Sequence, residues 1–123
     1  MRRVLVVDDS ATMRRMIMAS LRDVRDVAFD QAVSGLEAIE RVTLAPVDLV
    51  VLDLNMPDVH GLEVLRFIRG QDSLRGVPVI VLTTRSDDQS RTAAMSSGAT
   101  VYMTKPFTPE TLVPEVERLL RAG

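Results

Sequence analysis

The chain has no cysteine and no tryptophan, a single histidine, a single tyrosine and three phenylalanines. The missing cysteines exclude disulfides, thiolate metal centres and thiol redox chemistry. The lone histidine, His60, has no second histidine or cysteine near it in the chain, which argues against zinc and reads as an exposed loop residue. Long apolar runs are also missing. The longest are strand-length, far short of the roughly 20 residues that a membrane span needs. Asp8 and Asp9 break the first apolar stretch at once, so nothing at the start reads as a secretory leader. There is no basic block, and a net charge of −2 argues against nucleic acid as a direct partner. Internal repeats, linkers and low-complexity segments are absent too. What is present is a hydrophobic fraction of 46% over 123 residues, enough for one globular core and too much for a disordered chain. The expectation is one soluble, cytoplasmic, monomeric domain over residues 1–123. It reads as freestanding, because Met1 directly precedes the first strand and Gly123 follows the last helix.

The most informative stretch is Val47 to Gly61, VDLVVLDLNMPDVHG. Leu49 to Leu52 reads as a strand buried on both faces, the kind found in parallel sheets. Pro57 cannot extend it, so Asp53 falls at its carboxyl end, with Asn55 two residues on. In open α/β sheets that end is where ligands bind. An Asp there can also simply start a turn.

The rest of the chain alternates in the same way. Arg3 to Val7 reads as a strand that stops at Asp8-Asp9, and Ser10 can cap the helix that follows. Met13, Met16, Ile17, Leu21 and Val24 recur at helical spacing and form its inward face. Val27 to Val33 is more polar, as suits an edge strand. Gly35 opens a second helix with Leu36, Ile39, Val42 and Leu44, ended by Pro46. Leu62, Leu65 and Ile68 mark a third helix, for which Gly70 is the expected left-handed cap. Val77 to Leu82 is a buried strand ending at Thr83-Thr84. The helix over Asp87 to Ser97 has small inward candidates, Ala93 and Ala94, with only Met95 large, so it is expected to be held loosely. Gly98 stops it, and Thr100 to Met103 is a fifth strand running into Thr104-Lys105-Pro106. Thr108-Pro109-Glu110 starts a last helix with Leu112, Val116, Leu119 and Leu120 inward. Pro114 inside it predicts a local irregularity. Five strand–helix alternations imply a doubly wound α/β fold: one five-stranded parallel sheet with helices on both faces.

The strand ends carry Asp8-Asp9, Asp53, Thr83-Thr84 and Lys105. In a parallel sheet these ends share one edge, so the residues converge. Three carboxylates repel one another, and at least one should have a raised pKa unless a cation intervenes. Magnesium suits such oxygen donors. Lys105 and the Thr83 hydroxyl complete a receptor for a small dianion such as phosphate, with a carboxylate in reach of phosphorus. An Asp nucleophile there would form an acyl phosphate.

Asp8-Asp9, Asp53, Thr83 and Lys105-Pro106, in this order, resemble the receiver domains of two-component response regulators. The resemblance runs from Arg3 to about Leu120. It is nearest to the CheY-like, single-domain chemotaxis receivers, through DDSATMRRM, DLNMP, GLEVL and VYMTKPFT. It implies a flavodoxin-like strand order 2-1-3-4-5, which comes from the family and not from the spacing of residues in this chain. It also implies that Asp53 is the phosphoacceptor. Asp9 and Asp53 would bind Mg2+ directly, Asn55 through its backbone carbonyl, and Asp8 through water. Lys105 would pair with the phosphoryl oxygens, Thr83 would swing in to bond them, and Tyr102 would follow it inward. The Lys105-Pro106 bond would be cis. Asn55 and Arg85 would flank the path of the hydrolytic water and set the lifetime of the phosphorylated state. The implied partners are a histidine kinase or phosphotransfer protein upstream and a downstream protein target, a motility or flagellar-switch protein among them. The target would bind the face made by the fourth helix, fifth strand and last helix.

Leu54 stands where the chemotaxis receivers have tryptophan, and Asp87-Asp88, Arg91, Met95 and Glu115 also depart from them on the output face. Three other readings compete. A phosphohydrolase would need a second acid where Asn55 stands. A flavodoxin-like electron carrier would need aromatics that are missing, and Asp8-Asp9 would repel its phosphate. A docking module that ignores phosphorylation, or a receiver cut from a longer regulator, would keep the same residues without using all of them in the same way. The leading expectation is an acceptor that gains and loses its own phosphoryl group, and not a turnover enzyme.

Overall fold

The computed structural model describes residues 1–122, and Gly123 lies outside the described residues. Strands and helices alternate from end to end: β1 (Arg2–Val7), α1 (Ala11–Leu21), β2 (Val27–Ala32), α2 (Gly35–Leu44), β3 (Leu49–Leu52), α3 (Gly61–Gly70), β4 (Val79–Thr83), α4 (Asp88–Ser96), β5 (Val101–Thr104) and α5 (Pro109–Ala122). All strand pairs are parallel, and the sheet order is β2-β1-β3-β4-β5. The expected α/β architecture and order are both present.

The sheet divides the core in two. On one face Leu5, Val7, Val50, Leu52, Val79 and Val81 meet α2, α3 and α4. On the other Val4, Val6, Leu49, Val51, Ile80 and Leu82 meet α1 and α5. The alternation follows from the two-residue period of a strand, and the unbroken apolar runs are buried because both faces are covered. β2, at the edge, is only half-buried, which explains its polar composition.

Helix starts follow their caps. The side chains of Ser10, Ser34 and Asp87 accept from Met13, Glu37 and Ser90 amides at the starts of α1, α2 and α4. Several expected details differ. Met16, Leu36 and Leu44 are exposed, and Ala38 takes an inward place on α2. The apolar spacing there was wider than the buried stripe, so it overstated the inward face. Gly70 is the last residue of α3 and not a left-handed cap; the extended Gln71 ends the helix with its amide on Ile68 O. The only positive-φ glycine among the described residues is Gly98, at 109°, where α4 turns into β5. The irregularity expected at Pro114 does not interrupt α5, which runs unbroken from Pro109 to Ala122. Pro114 is the sixth residue of the helix, past its first turn, and buried Leu112, Val116, Leu119 and Leu120 hold the turns on either side of it against the sheet despite the missing amide.

Candidate functional site

Backbone hydrogen bonds continue past the strand ends and place the polar residues. Asp8 N donates to Ala32 O at 3.1 Å, Asp53 N to Val7 O at 3.0 Å, and Lys105 N to Thr83 O at 2.7 Å. Each acid or base is therefore set by main chain one residue beyond its strand, at the carboxyl edge of the sheet. Oxygens of Asp8, Asp9 and Asp53 all lie within 4.8 Å of one another. Asp8 and Asp53 are buried and Asp9 is exposed, so the cluster opens to solvent on one side.

Lys105 bridges two of these acids. Its Nζ is 2.6 Å from Asp8 Oδ2 and 3.4 Å from Asp53 Oδ2. The other oxygens accept from main chain: Asp8 Oδ1 from Ser10 N at 2.9 Å, and Asp53 Oδ1 from Asn55 N at 3.2 Å. Arg14, on α1, donates to the Asp8 carbonyl at 2.7 Å. The Asp53 carboxyl is pushed above its ordinary range, first by burial. The Lys105 charge and the Asn55 amide oppose this, and the charge of Asp8 adds to it less. A raised pKa was expected, but from repulsion among the carboxylates; withdrawal from water is the larger cause.

The donor set consists of hard oxygens, two of them on buried carboxylates, which fits Mg2+ or a similar hard cation. The main-chain carbonyl of Asn55 lies on the same loop.

The rim is built from β4 onward. Thr83, the last residue of β4, is fully buried, and its Oγ1 accepts from Arg85 N at 3.4 Å. Arg85 Nε donates to Asn55 Oδ1 at 2.6 Å, and Asn55 Nδ2 donates to Thr84 Oγ1 at 3.2 Å. The two residues expected to flank the entrance are thus bonded to each other. Tyr102 is buried, and its hydroxyl donates to Arg85 O at 2.6 Å. The Lys105-Pro106 bond is cis.

The loop between Asp53 and α3 is fastened by residues that sequence reasoning missed. Asp58 accepts from Gly35 N at 3.0 Å and Leu36 N at 3.1 Å, at the start of α2. The Val59 amide first, and then that of Leu36, hold its carboxyl down at about 2. The signal available was an acid after Met56-Pro57, which also fits an ordinary turn. His60 is not an exposed loop residue. It caps α3, and its Nδ1 accepts from Leu62 N at 3.1 Å. Gly61 sits so close to the loop that an added Cβ would lie 2.6 Å from Leu54 Cα and 2.7 Å from Asp53 O. Arg69, also missed, donates to the carbonyls of Gly98, Arg75 and Val77 at 2.9, 3.0 and 2.6 Å. It ties the end of α3 to the turn that begins β5.

This fold and site have close counterparts among known proteins. The response regulator receiver domain family matches residues 4–117. The transcriptional regulatory protein ResD of Bacillus subtilis is 39% identical over 119 residues, covering 97% of this chain and 48% of ResD. The chain therefore spans about half the length of that relative. The solved structure of Vibrio cholerae chemotaxis protein CheY4 is 34% identical with a TM-score of 0.88, covering 97% of this chain and 98% of that one. The receiver domain of the sensor histidine kinase PA1611 from Pseudomonas aeruginosa, solved with magnesium coordinated in its active site cleft, is 26% identical with a TM-score of 0.88 and covers 98% of each chain. The family match over nearly the whole chain, on a sheet of matching topology, means that this chain belongs to the response regulator receiver domain family.

Proposed function

We propose that this chain is a phosphorylation-controlled switch with Asp53 as its phosphoacceptor. The observation that bears most on this is the convergence of Asp8, Asp9 and Asp53 oxygens within 4.8 Å, with Lys105 against two of them. A carboxylate oxygen of Asp53 attacks phosphorus of a phosphohistidine on a histidine kinase or phosphotransfer protein. The new P–O bond replaces the P–N bond, and the imidazole leaves with the electron pair. Asp9 and Asp53 would hold Mg2+, with the Asn55 carbonyl as a further oxygen and Asp8 acting through water, and a cation held there would supply charge neutralisation for the phosphoryl oxygens. Lys105 turns from Asp8 to the phosphoryl group, and the Thr83 hydroxyl donates to it.

Arg85 Nε bonds Asn55 Oδ1, two residues from Asp53, which supports a role for this pair in setting how quickly water removes the phosphoryl group. The protein gains and loses its own phosphoryl group and turns over no external substrate. Its partner reads the face formed by α4, β5 and α5. The likeness to CheY4 supports a chemotaxis or motility target, such as a flagellar-switch protein. The coverage of only half of ResD favours a second arrangement, in which the same receiver is joined to an effector domain. Cytoplasmic placement accords with either arrangement and a single domain with the first; among the described residues no helix is long and apolar enough to cross a membrane.

Intact mass after incubation with acetyl phosphate tests the acceptor. One phosphoryl group should appear with Mg2+, and none with chelator or in Asp53→Asn. A phosphoryl group retained by Asp53→Asn sinks the assignment.

A further inference from the structure

The loop from Asp53 to α3 carries the Asn55 carbonyl and has no helix or strand of its own to hold it. It is pinned at two places. At its far end Gly61 N donates to Leu54 O at 3.2 Å, at the glycine whose close approach to Leu54 and Asp53 leaves no room for a Cβ. In its middle, one carboxylate takes two amides of another element: Asp58 Oδ1 accepts from Gly35 N at 3.0 Å and Oδ2 from Leu36 N at 3.1 Å. Gly35 lets the loop close onto α2, since a Cβ there would lie 2.5 Å from Val59 O and 2.7 Å from Val59 Cβ.

α2 has caps of its own. Ser34 Oγ accepts from Glu37 N at 3.1 Å, the Glu37 carboxylate accepts from Val33 N at 3.3 Å, and Ala38 N already has Ser34 O. Gly35 and Leu36 supply the two amides left over, and at an open helix end water can serve them. The same end favours a negative charge. The tie is therefore worth most to the loop, whose exposed Asp58 has no other element to hold.

We infer that Asp58 is a positioning residue of the acceptor site, which uses the amino end of α2 as a receptor and so sets where the Asn55 carbonyl stands relative to Asp9 and Asp53. The anchor stands on geometry alone; its consequence for Mg2+ rests on the cation reading of the proposed function. Asp58 acts through the main chain of residues 55–58. Mg2+ demands near-ideal octahedral geometry, so a loosely placed carbonyl lowers affinity.

Nuclear magnetic resonance of the nitrogen-15-labelled full chain reads both parts. Amide exchange is measured without metal, and Mg2+ affinity is taken from the shifts of the amides of residues 53–61. The parent is compared with Asp58→Ala, Asp58→Asn and Ser34→Ala, with circular dichroism to check folding. In Asp58→Ala the Gly61 amide should exchange about two- to tenfold faster, the factor for losing an ordinary hydrogen bond. Mg2+ should bind it about three- to tenfold more weakly, less than the roughly 10–100-fold lost when a group bonded directly to a metal ligand is removed. Asp58→Asn, which loses the charge and keeps an oxygen for one amide, should fall between. Ser34→Ala removes a cap of α2 and leaves both Asp58 bonds, so its Mg2+ affinity should match the parent. An equal loss in Ser34→Ala and Asp58→Ala would mean that the site senses only the stability of α2, and overturns the proposal. Equal losses in Asp58→Asn and Asp58→Ala would trace to charge alone and overturn it too, as would parent-like exchange and affinity in Asp58→Ala. If the parent shows no Mg2+-dependent shift, the cation reading fails, and Gly61 exchange in Asp58→Ala against the parent still decides the anchor.

Discussion

α3 and α4 are neighbours on one face of the sheet and nearly equal in length, with ten and nine residues, yet they are held by different means. α3 buries Gly61, Val64, Leu65 and Ile68. α4 buries Ala94 alone. A fully buried Leu or Ile contributes about 1.5–3 kcal/mol through the water it leaves, and an alanine much less. α3 is also tied at both ends, by Gly61 against the Asp53 loop and by Arg69 to Gly98 O. α4 depends on a local cap, on that same anchored turn and on the Arg91–Tyr102 contact. The helix behind the acidic loop is thus rigidly backed, and the helix on the proposed output side is free to shift at small cost. Segments that move in switching are drawn from such weakly held elements.

The comparison breaks most visibly in the core. Leu65→Ala should destabilise the fold by about 2–5 kcal/mol in urea unfolding, because it leaves a cavity under α3. A loss below that range would mean that α3 is no better held than α4. Filling the space under α4 tests the other side. Ala94→Leu should cost about 1–3 kcal/mol by overpacking if α4 is already seated, with faster amide exchange confined to residues 88–104. A gain in stability would instead reveal a void under that helix.

Acid acts on the loop before α3 and on the cap of α4 alike, because the Asp58 and Asp87 carboxyls are both held below their ordinary range by backbone amides, but over different reaches of chain. Asp58 bonds amides 22 and 23 residues away, whereas Asp87 bonds Ser90, three residues on. The Asp58 carboxyl is held at about 2 against an ordinary value of 3.8. Its folded-state pKa is depressed, so its contribution is complete above the ordinary value and is lost as pH falls through that window. Stability should decline on acidification there, and Asp58→Asn should decline less steeply. An unchanged slope would detach Asp58 from the stability of the loop. The smallest effect belongs to Met95, large but exposed on α4. Met95→Ala should change stability by no more than about 0.5 kcal/mol in the same urea titration.

Much of the site was legible because its residues sit where local patterns end. Asp8, Asp53, Thr83 and Lys105 each close an apolar run, and parallel strands bring such ends together. The weakness of α4 was legible as well, from small residues at its inward positions. Asp58, Arg69 and the capping role of His60 were not. Each looks like an ordinary loop or surface residue until the element it meets is known. Met16, Leu36 and Leu44 misled for the opposite reason, since an apolar side chain at helical spacing need not face the core.

The sequence by itself determined the order of strands and helices, the cap of α1, and the edge on which the acids gather. Those depend on periodicity and neighbours within a few residues. Only the tertiary structure decided that Lys105 lies nearer to Asp8 than to Asp53, across 97 positions of chain. It also decided that Asp58 fastens α2, that Arg85 holds both Asn55 and Tyr102, and that Arg91 covers the tyrosine ring. A distant partner is selected by which elements pack side by side and by the angle at which they meet, and no local pattern of residues contains that distance.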